Sequence, residues 1–307
     1  HTDMYAQAYF SYDSKKSGGV TMSHLRFGKS PIKSTYLIRQ SNFVACHNPS
    51  YVDKYNMVQE LVDGGTFLLN CSWDMEGLEK HLPGQVKAFI ANHNIKFYTI
   101  DGIKIGKEIG LGGRINTVLQ SAFFKLAAII PEEEAIDLMK AAAKATYGRK
   151  GDKIVQMNYD AIDAGAKQVV EIAVPESWKD AADEGLTTPH VGEGGRADVV
   201  DFVKNIQAKV NAQEGNTLPV SAFKDYVDGS TPSGTSAYEK RGIAVDIPVW
   251  QSENCIQCNR CAYVCPHAVI RPVALTEEEA ANAPEGFQTI DMIGMPGMKF
   301  AITVSAY

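Results

Sequence analysis

The chain has 307 residues, enough for two or more domains, and its 45% hydrophobic and 21% charged residues are typical of a globular protein. A formal net charge of −6 argues against nucleic acid as a partner. No uncharged apolar run is long enough to span a bilayer and no signal peptide is recognisable, so we expect no membrane partner. Because the first residue is His1 rather than methionine, we expect further sequence upstream.

The first half of the chain alternates between strand and helix patterns. Aromatic-rich residues 5–11, a polar turn and residues 20–27 predict a β-hairpin. Further strands are predicted at residues 43–47, 66–70 and 95–100, and helices at residues 51–61, 83–92, 116–129, 131–147 and 153–167. Strands separated by helices of this length indicate an α/β fold with a mostly parallel sheet and flanking helices.

The composition changes further along the chain, which sets the predicted domain boundaries. Residues 1–172 form the α/β domain, and residues 173–216 form a linker followed by a helix at residues 198–212. Residues 217–247 are rich in glycine, serine and aspartate and predict a small irregular module. Residues 248–307 form the last domain, with a short helix at residues 276–281 and a strand at residues 299–304.

Four of the six cysteines lie in one run near the C-terminal end. They are separated by two, two and three residues, and a proline follows the last of them: Cys255, Cys258, Cys261, Cys265 and Pro266. This is the spacing of bacterial ferredoxins, in which a tight loop places three thiolates around one [4Fe-4S] cluster and the fourth ligates a second cluster. The run therefore predicts an incomplete ferredoxin-like iron–sulfur domain in residues 248–307.

Two other interpretations of the run compete with this one. Structural zinc usually requires two C-x-x-C pairs with a longer spacer, and a disulfide knot requires more cysteine than the rest of the chain holds. Two-cluster ferredoxins also carry a second copy of the run, which this sequence does not contain. We therefore expect that the chain is a piece of a longer protein or that a ligand comes from elsewhere, unless Cys46 or Cys71 lies close in space.

Several further motifs resemble one enzyme family in the order in which they occur. The motifs are SYDSKKSGGVT at residues 11–21, SHLRFG at residues 23–28, GLGGRIN at residues 110–116 and YEKRGIA at residues 238–244, followed by the cysteine run. Together they resemble the central segment of pyruvate:ferredoxin (flavodoxin) oxidoreductase: its gamma domain, its "EKR" module and the first half of its two-cluster ferredoxin domain. The resemblance covers essentially the whole chain.

The resemblance implies an activity and a set of cofactors. The family oxidatively decarboxylates pyruvate on thiamine diphosphate with Mg²⁺, transfers the acetyl group to coenzyme A, and passes single electrons through iron–sulfur clusters to ferredoxin or flavodoxin. The thiamine diphosphate site lies in domains that this sequence does not contain. The resemblance also implies a homodimer in the cytoplasm, and a reducing compartment agrees with the scarcity of other cysteines.

The gamma domain of the family is implicated in coenzyme A binding, and two segments have suitable chemistry. Lys15 and Lys16, next to Gly18 and Gly19, offer two ammonium groups and open backbone amides to phosphate groups, although a solvated hairpin tip has the same composition. In the second segment, Arg114 and Asn116 lie at a predicted helix N-terminus, which favours anions, although an ordinary glycine-rich turn is an equal alternative.

Three interpretations of the function follow. In the first, the chain supplies coenzyme A docking and an electron relay to a large oxidoreductase. In the second, it is a non-catalytic iron–sulfur electron-transfer or assembly subunit. A third reading is a cluster-free fragment whose cysteines are merely reduced. Cys46 and Cys71, in or beside apolar strands, are expected to be buried thiols rather than ligands.

Overall fold

A computed structural model describes residues 2–13, 19–34, 36–182, 195–239 and 247–305. The chain forms two compact units, His1–Glu239 and Lys240–Tyr307. The boundaries expected after residues 172 and 216 lie inside the first unit and stay predictions. None of the helices described is both long and apolar enough to cross a bilayer.

The first unit begins with the expected hairpin. Strand β1 (Tyr5–Tyr12) pairs antiparallel with β2 (Thr21–Gly28), with Tyr5 opposite Gly28 and Tyr12 opposite Thr21. Aromatic residues are frequent in β1, as expected of a strand.

A four-stranded sheet forms the centre of the first unit. Its strands are β3 (Ser41–Cys46), β4 (Leu61–Asn70), β5 (Lys96–Ile100) and β6 (Val170–Glu171), in that spatial order. The pairs β3–β4 and β4–β5 are parallel, and β5–β6 is antiparallel. The prediction of a mostly parallel sheet is confirmed.

Helices pack on both faces of this sheet. They are α1 (Met75–His81), α2 (Gly84–Asn92), α3 (Gly102–Ile109), α4 (Asn116–Ala127), α5 (Glu132–Tyr147) and α6 (Asp152–Lys167). Consecutive residues of β4 serve the two faces: Phe67 and Leu69 join a core with α1 and α2, whereas Leu68 joins a core with α3, α4 and α6. A strand buried on both sides reads as a continuous apolar run, as β4 does.

The helix predicted over residues 51–61 is wrong. The segment contains a single 3₁₀ turn (Pro49–Tyr51), after which the chain runs through turns to β4, which starts at Leu61. Val52 and Val58 are buried in the core, but without helical backbone. Strand partners on both sides satisfy the backbone of β4, and Gly64, with φ of +71°, lies within this strand instead of ending a helix.

The segment predicted as a linker is packed against the core. Trp178, in the 3₁₀ turn Glu176–Asp180, is 1% exposed, and its indole N–H donates to the Glu79 carboxylate of α1. The helix that follows runs as α7 (Ala197–Phe202), a π-helical turn (Val203–Gln207) and α8 (Ala208–Asn211), which confirms the helix predicted at residues 198–212.

The second unit is a small antiparallel sheet with two short helices. Strands β7 (Ile270–Thr276), β8 (Ile290–Asp291) and β9 (Met298–Val304) are arranged in the order β7–β9–β8. Helix α9 (Arg260–Val264) precedes the sheet, and α10 (Glu277–Ala281) follows β7. The predicted helix at residues 276–281 and strand at residues 299–304 are confirmed.

Candidate functional site

The cysteine run lies in a tight loop that leads into α9. Cys255 follows a 3₁₀ turn (Ser252–Asn254), Cys261 lies within α9, and Cys265 ends that helix. Gln257 and Asn259 have left-handed backbone conformations, with φ of 54° and 57°. Such conformations are uncommon outside glycine, and they turn the chain sharply between the thiols.

The four cysteines of the run are unpaired thiols near the surface. Cys255 and Cys265 are half-buried, and Cys258 and Cys261 are exposed. Across the residues that the structure describes, no three His, Cys, Asp or Glu side chains are gathered closely enough to hold a metal ion.

Cys265 has an environment that favours the thiolate. The nearby main-chain N–H groups of Ile270, Val269, His267 and Ala268 lower the pKa of the thiol. Thiolate sulfur is the ligand of iron in iron–sulfur clusters, and hydrogen bonds to the sulfur help set the potential of the bound cluster. Four reduced thiols, one of them already surrounded by amide donors, fit iron–sulfur ligation.

A second group of polar residues lies where the parallel strands end. Asn70, the last residue of β4, is 3% exposed. Its amide donates to the main-chain oxygen of His47 after β3 at 2.9 Å and accepts from the N–H of Gly102 after β5 at 2.9 Å. One buried side chain thus joins the ends of three strands, at the edge where open α/β sheets bind their ligands.

Of the predicted hairpin residues, only Gly19 is described, since Lys15, Lys16 and Gly18 lie outside the described residues. The hydroxyl of Tyr51, just after β3, donates to the main-chain oxygen of Gly19 at 3.3 Å. A β-carbon on Gly19 would come within 2.7 Å of the Asp13 β-carbon, so this position requires glycine. The base of the hairpin loop is therefore beside the carboxyl end of β3.

The turn that contains Arg114 lies at the same edge, on the side of β5. Ile115 lies against Gly102: a β-carbon added to Gly102 would be 3.5 Å from that of Ile115. Asn116 is the first residue of α4, whose N-cap makes no side-chain hydrogen bond, so the first N–H groups of this helix lack a side-chain cap. Asn116 also lines a cavity of about 360 Å³ between α4, α5 and α6.

Cys46 and Cys71 are buried thiols at this edge, as predicted. They are 1% and 7% exposed. Burial raises the pKa of Cys46 to about 12 and that of Cys71 to about 11. Both stay neutral thiols at physiological pH, which makes them poor metal ligands.

Comparison with known families agrees with this organisation. The profile of the pyruvate ferredoxin/flavodoxin oxidoreductase family matches residues 1–168, more than half of the chain. The chain belongs to this family. A profile named EKR, described as a domain of unknown function, matches residues 193–244, and a 4Fe-4S binding domain matches residues 247–270, which include all four cysteines of the run.

Individual relatives are similar over almost the whole chain. Pyruvate-flavodoxin oxidoreductase of Enterobacter agglomerans is 51% identical over 304 residues, and pyruvate:ferredoxin oxidoreductase of Moorella thermoacetica is 53% identical over 307 residues. Each match covers 99% of this chain and 25% of the relative, so the chain spans about a quarter of their length. A solved structure, subunit PORC of pyruvate oxidoreductase from Thermotoga maritima, aligns with 54% of this chain and 81% of its own at 18% identity and a TM-score of 0.42.

Proposed function

We propose that this chain contributes an iron–sulfur electron relay and a coenzyme A docking surface to a pyruvate:ferredoxin/flavodoxin oxidoreductase, which converts pyruvate to acetyl-CoA by oxidative decarboxylation. The observation that supports this most directly is the run of four thiols within the 4Fe-4S match, downstream of the oxidoreductase match. A bound [4Fe-4S] cluster supplies the capacity to accept and pass on one electron at a time.

The chain's own part in the relay is to supply thiol ligands to iron. Cys255, Cys258 and Cys261 are the proposed ligands of one cluster, and Cys265 is the proposed ligand of a second. Main-chain N–H groups near Cys265 lower the pKa of its thiol, which favours the thiolate form that binds iron. The loop between Cys255 and α9 keeps the other three thiols within a few residues of one another.

The proposed coenzyme A site uses the edge of the sheet. Lys15 and Lys16 would neutralise phosphate groups, and Gly18 and Gly19 would let backbone N–H groups approach them. The contact between Tyr51 and Gly19 supports this placement, because it brings the base of the hairpin loop to the carboxyl end of β3. Ligands of open α/β sheets bind in this crevice.

The turn before α4 is the proposed second contact with the cofactor. The N-terminal N–H groups of α4 favour a negatively charged group, and the Arg114 guanidinium can pair with a phosphate in a bidentate way. The side-chain amide of Asn116, beside the cavity, would then face the uncharged part of the ligand.

The remaining parts of the reaction belong to other regions of the complete enzyme. We propose that thiamine diphosphate and Mg²⁺ bind outside this chain, that ferredoxin or flavodoxin accepts the electrons, and that the enzyme is a cytoplasmic homodimer. The names of the two relatives above support the substrate and the acceptors, since both are pyruvate oxidoreductases that reduce one of these carriers.

Charge reversal at the hairpin tip tests coenzyme A docking. In the complete enzyme, Lys15→Glu combined with Lys16→Glu should weaken coenzyme A binding by about tenfold or more, because two attractive charges become repulsive to phosphate. Isothermal titration calorimetry measures the dissociation constant. The matched control is Lys144→Glu with Lys153→Glu, two exposed lysines on α5 and α6. Equal affinity of both double variants and the unaltered enzyme would remove the hairpin tip from the site.

The same titration distinguishes the proposed function from a second candidate, a non-catalytic electron-transfer or assembly subunit. The 4Fe-4S match is confined to residues 247–270, in the second compact unit, so a chain that only relays electrons would need nothing from the first unit. A non-catalytic electron-transfer or assembly subunit would therefore hold iron without binding coenzyme A at all.

A further inference from the structure

Gln257 lies between the first two cysteines of the run and joins their loop to a distant part of the same unit. Its side-chain N–H₂ donates to the main-chain oxygen of Asp291 at 2.7 Å. Its side-chain oxygen accepts from the main-chain N–H of Ile293 at 2.8 Å. The amide thus bonds to the backbone as a peptide group of a neighbouring strand would, 34 and 36 residues away along the chain.

The segment that receives these bonds is itself fixed. Asp291 lies opposite Lys299 in the β8–β9 pair, and their side chains form an ion pair at 2.6 Å. The N–H of Met292 donates to the main-chain oxygen of Met298 at 2.9 Å, which continues the hairpin beyond β8. The loop of Gln257 is therefore attached to a paired strand and not to another loop.

The main chain of Gln257 also contacts the first thiol of the run. Its φ of 54° is a conformation that costs a side-chain-bearing residue free energy unless its surroundings hold it in place. In this conformation its main-chain N–H donates to the sulfur of Cys255 at 3.4 Å. The two side-chain bonds thus hold the peptide group that faces the first thiol of the run.

We propose that Gln257 is a positioning residue for the iron–sulfur site. Its side-chain amide holds the Cys255–Cys258 loop against the β8–β9 hairpin, so that Cys255 is presented with an N–H donor already aimed at its sulfur. Replacing the amide removes this attachment of the loop. The thiols must then become ordered when iron binds, and they hold the bound iron less firmly. This inference rests on the proposed function of the cysteine run.

The first test uses the full chain before iron is loaded. Gln257→Met keeps the length of the side chain and removes both hydrogen bonds. Hydrogen–deuterium exchange at Ile293, followed by mass spectrometry of peptides, should become about tenfold faster, since two net hydrogen bonds are lost. Gln288→Met is the matched control: this glutamine of the same unit is exposed, and its side chain makes no hydrogen bond among the described residues. Unchanged exchange at Ile293 would overturn the inference.

The second test measures how firmly iron is held. After anaerobic loading, release of iron to a ferrous chelator should be about tenfold faster from Gln257→Met than from the unaltered chain or Gln288→Met. Gln257→Glu keeps the bond from Ile293 but loses the donor to Asp291, so its rate should be intermediate.

The outcomes separate this inference from the function on which it rests. If the exchange at Ile293 accelerates but iron is released at the unaltered rate, the contact exists and the positioning role is wrong. If the unaltered chain takes up no iron, the proposed function fails before any variant is compared.

Discussion

The six cysteines show how strongly the surroundings of one residue type decide its chemistry. Burial raises the pKa of Cys46 to about 12 and that of Cys71 to about 11, because an apolar environment penalises the thiolate. At Cys265 main-chain N–H groups lower the pKa of the thiol. Cys46 and Cys71 therefore lie in the core as neutral groups, whereas the surroundings of Cys265 favour its thiolate.

The buried thiols predict how the stability of the first unit depends on pH. Unfolding returns the pKa of each thiol to its ordinary value of 9.0. Because the folded pKa is raised, their contribution is complete below pH 9 and is lost as pH rises from about 9 towards 11 and 12. The free energy of unfolding should fall there by up to about 1.4 kcal/mol per pH unit for each thiol.

Urea unfolding of the first unit at pH 8, 9 and 10 measures this fall. Cys46→Ala is the comparison, because it removes the more strongly shifted thiol and should make the fall shallower, at a fixed cost in stability at all three pH values. Parallel curves for the variant and the unaltered chain would show that Cys46 does not ionise on unfolding as expected.

The sequence predicted those residues that can be recognised from their immediate neighbours in the chain. The spacing of Cys255 to Cys265 can be read directly along the chain, and so can the apolar surroundings of Cys46. Asn70, Tyr51 and Gln257 could not be predicted, because each owes its role to partners 23 to 36 residues away. Nothing in their own neighbourhood distinguishes them from other polar residues.

Among the elements, the long or strongly patterned ones were predicted well. Strands β3 to β5 and helices α2, α4, α5 and α6 lie within a few residues of their predicted positions. Helices α1 and α3 were missed: they have seven and eight residues, and glycines within them weaken the helical pattern. The helix predicted at residues 51–61 is wrong for a different reason. Apolar residues of this segment are buried in the core, but they lie in turns and not in a helix.

The close approach of α4 and α6 predicts how a substitution between these helices changes the stability of the protein. A β-carbon on Gly165 would lie 2.2 Å from the main-chain oxygen of Val118, and the hydroxyl of Ser121 already donates to the main-chain oxygen of Ile162 at 2.6 Å. Gly165→Ala must push the two helices apart and should lower the free energy of unfolding by about 1–3 kcal/mol. Urea titration measures the change.

Gly148→Ala is the control for this prediction. Nothing lies within 4 Å of the added methyl group, and φ is −53°, which alanine adopts readily. It should leave stability unchanged or raise it by up to about 1 kcal/mol, because alanine restricts the unfolded chain. Similar losses at both positions would mean that α4 and α6 do not approach as closely as described.

On the scale of the whole molecule, family membership follows from the order of several local motifs. The oxidoreductase match to residues 1–168 precedes the iron–sulfur match to residues 247–270, in the order that the sequence motifs suggested. The fold class was also predictable, because strands and helices alternate clearly in the first unit. The arrangement at the carboxyl edge of the sheet was not, since Asn70 joins the ends of β3 and β5 through partners that are distant along the chain.

The central claim, that the cysteine run binds an iron–sulfur cluster, is tested most directly by the metal and sulfide content of the anaerobically purified chain. We predict iron and acid-labile sulfide in equal amounts, broad absorption of blue light that fades on reduction, and loss of iron in Cys258→Ser but not in Cys71→Ala. A colourless chain that holds zinc and no sulfide would contradict the account.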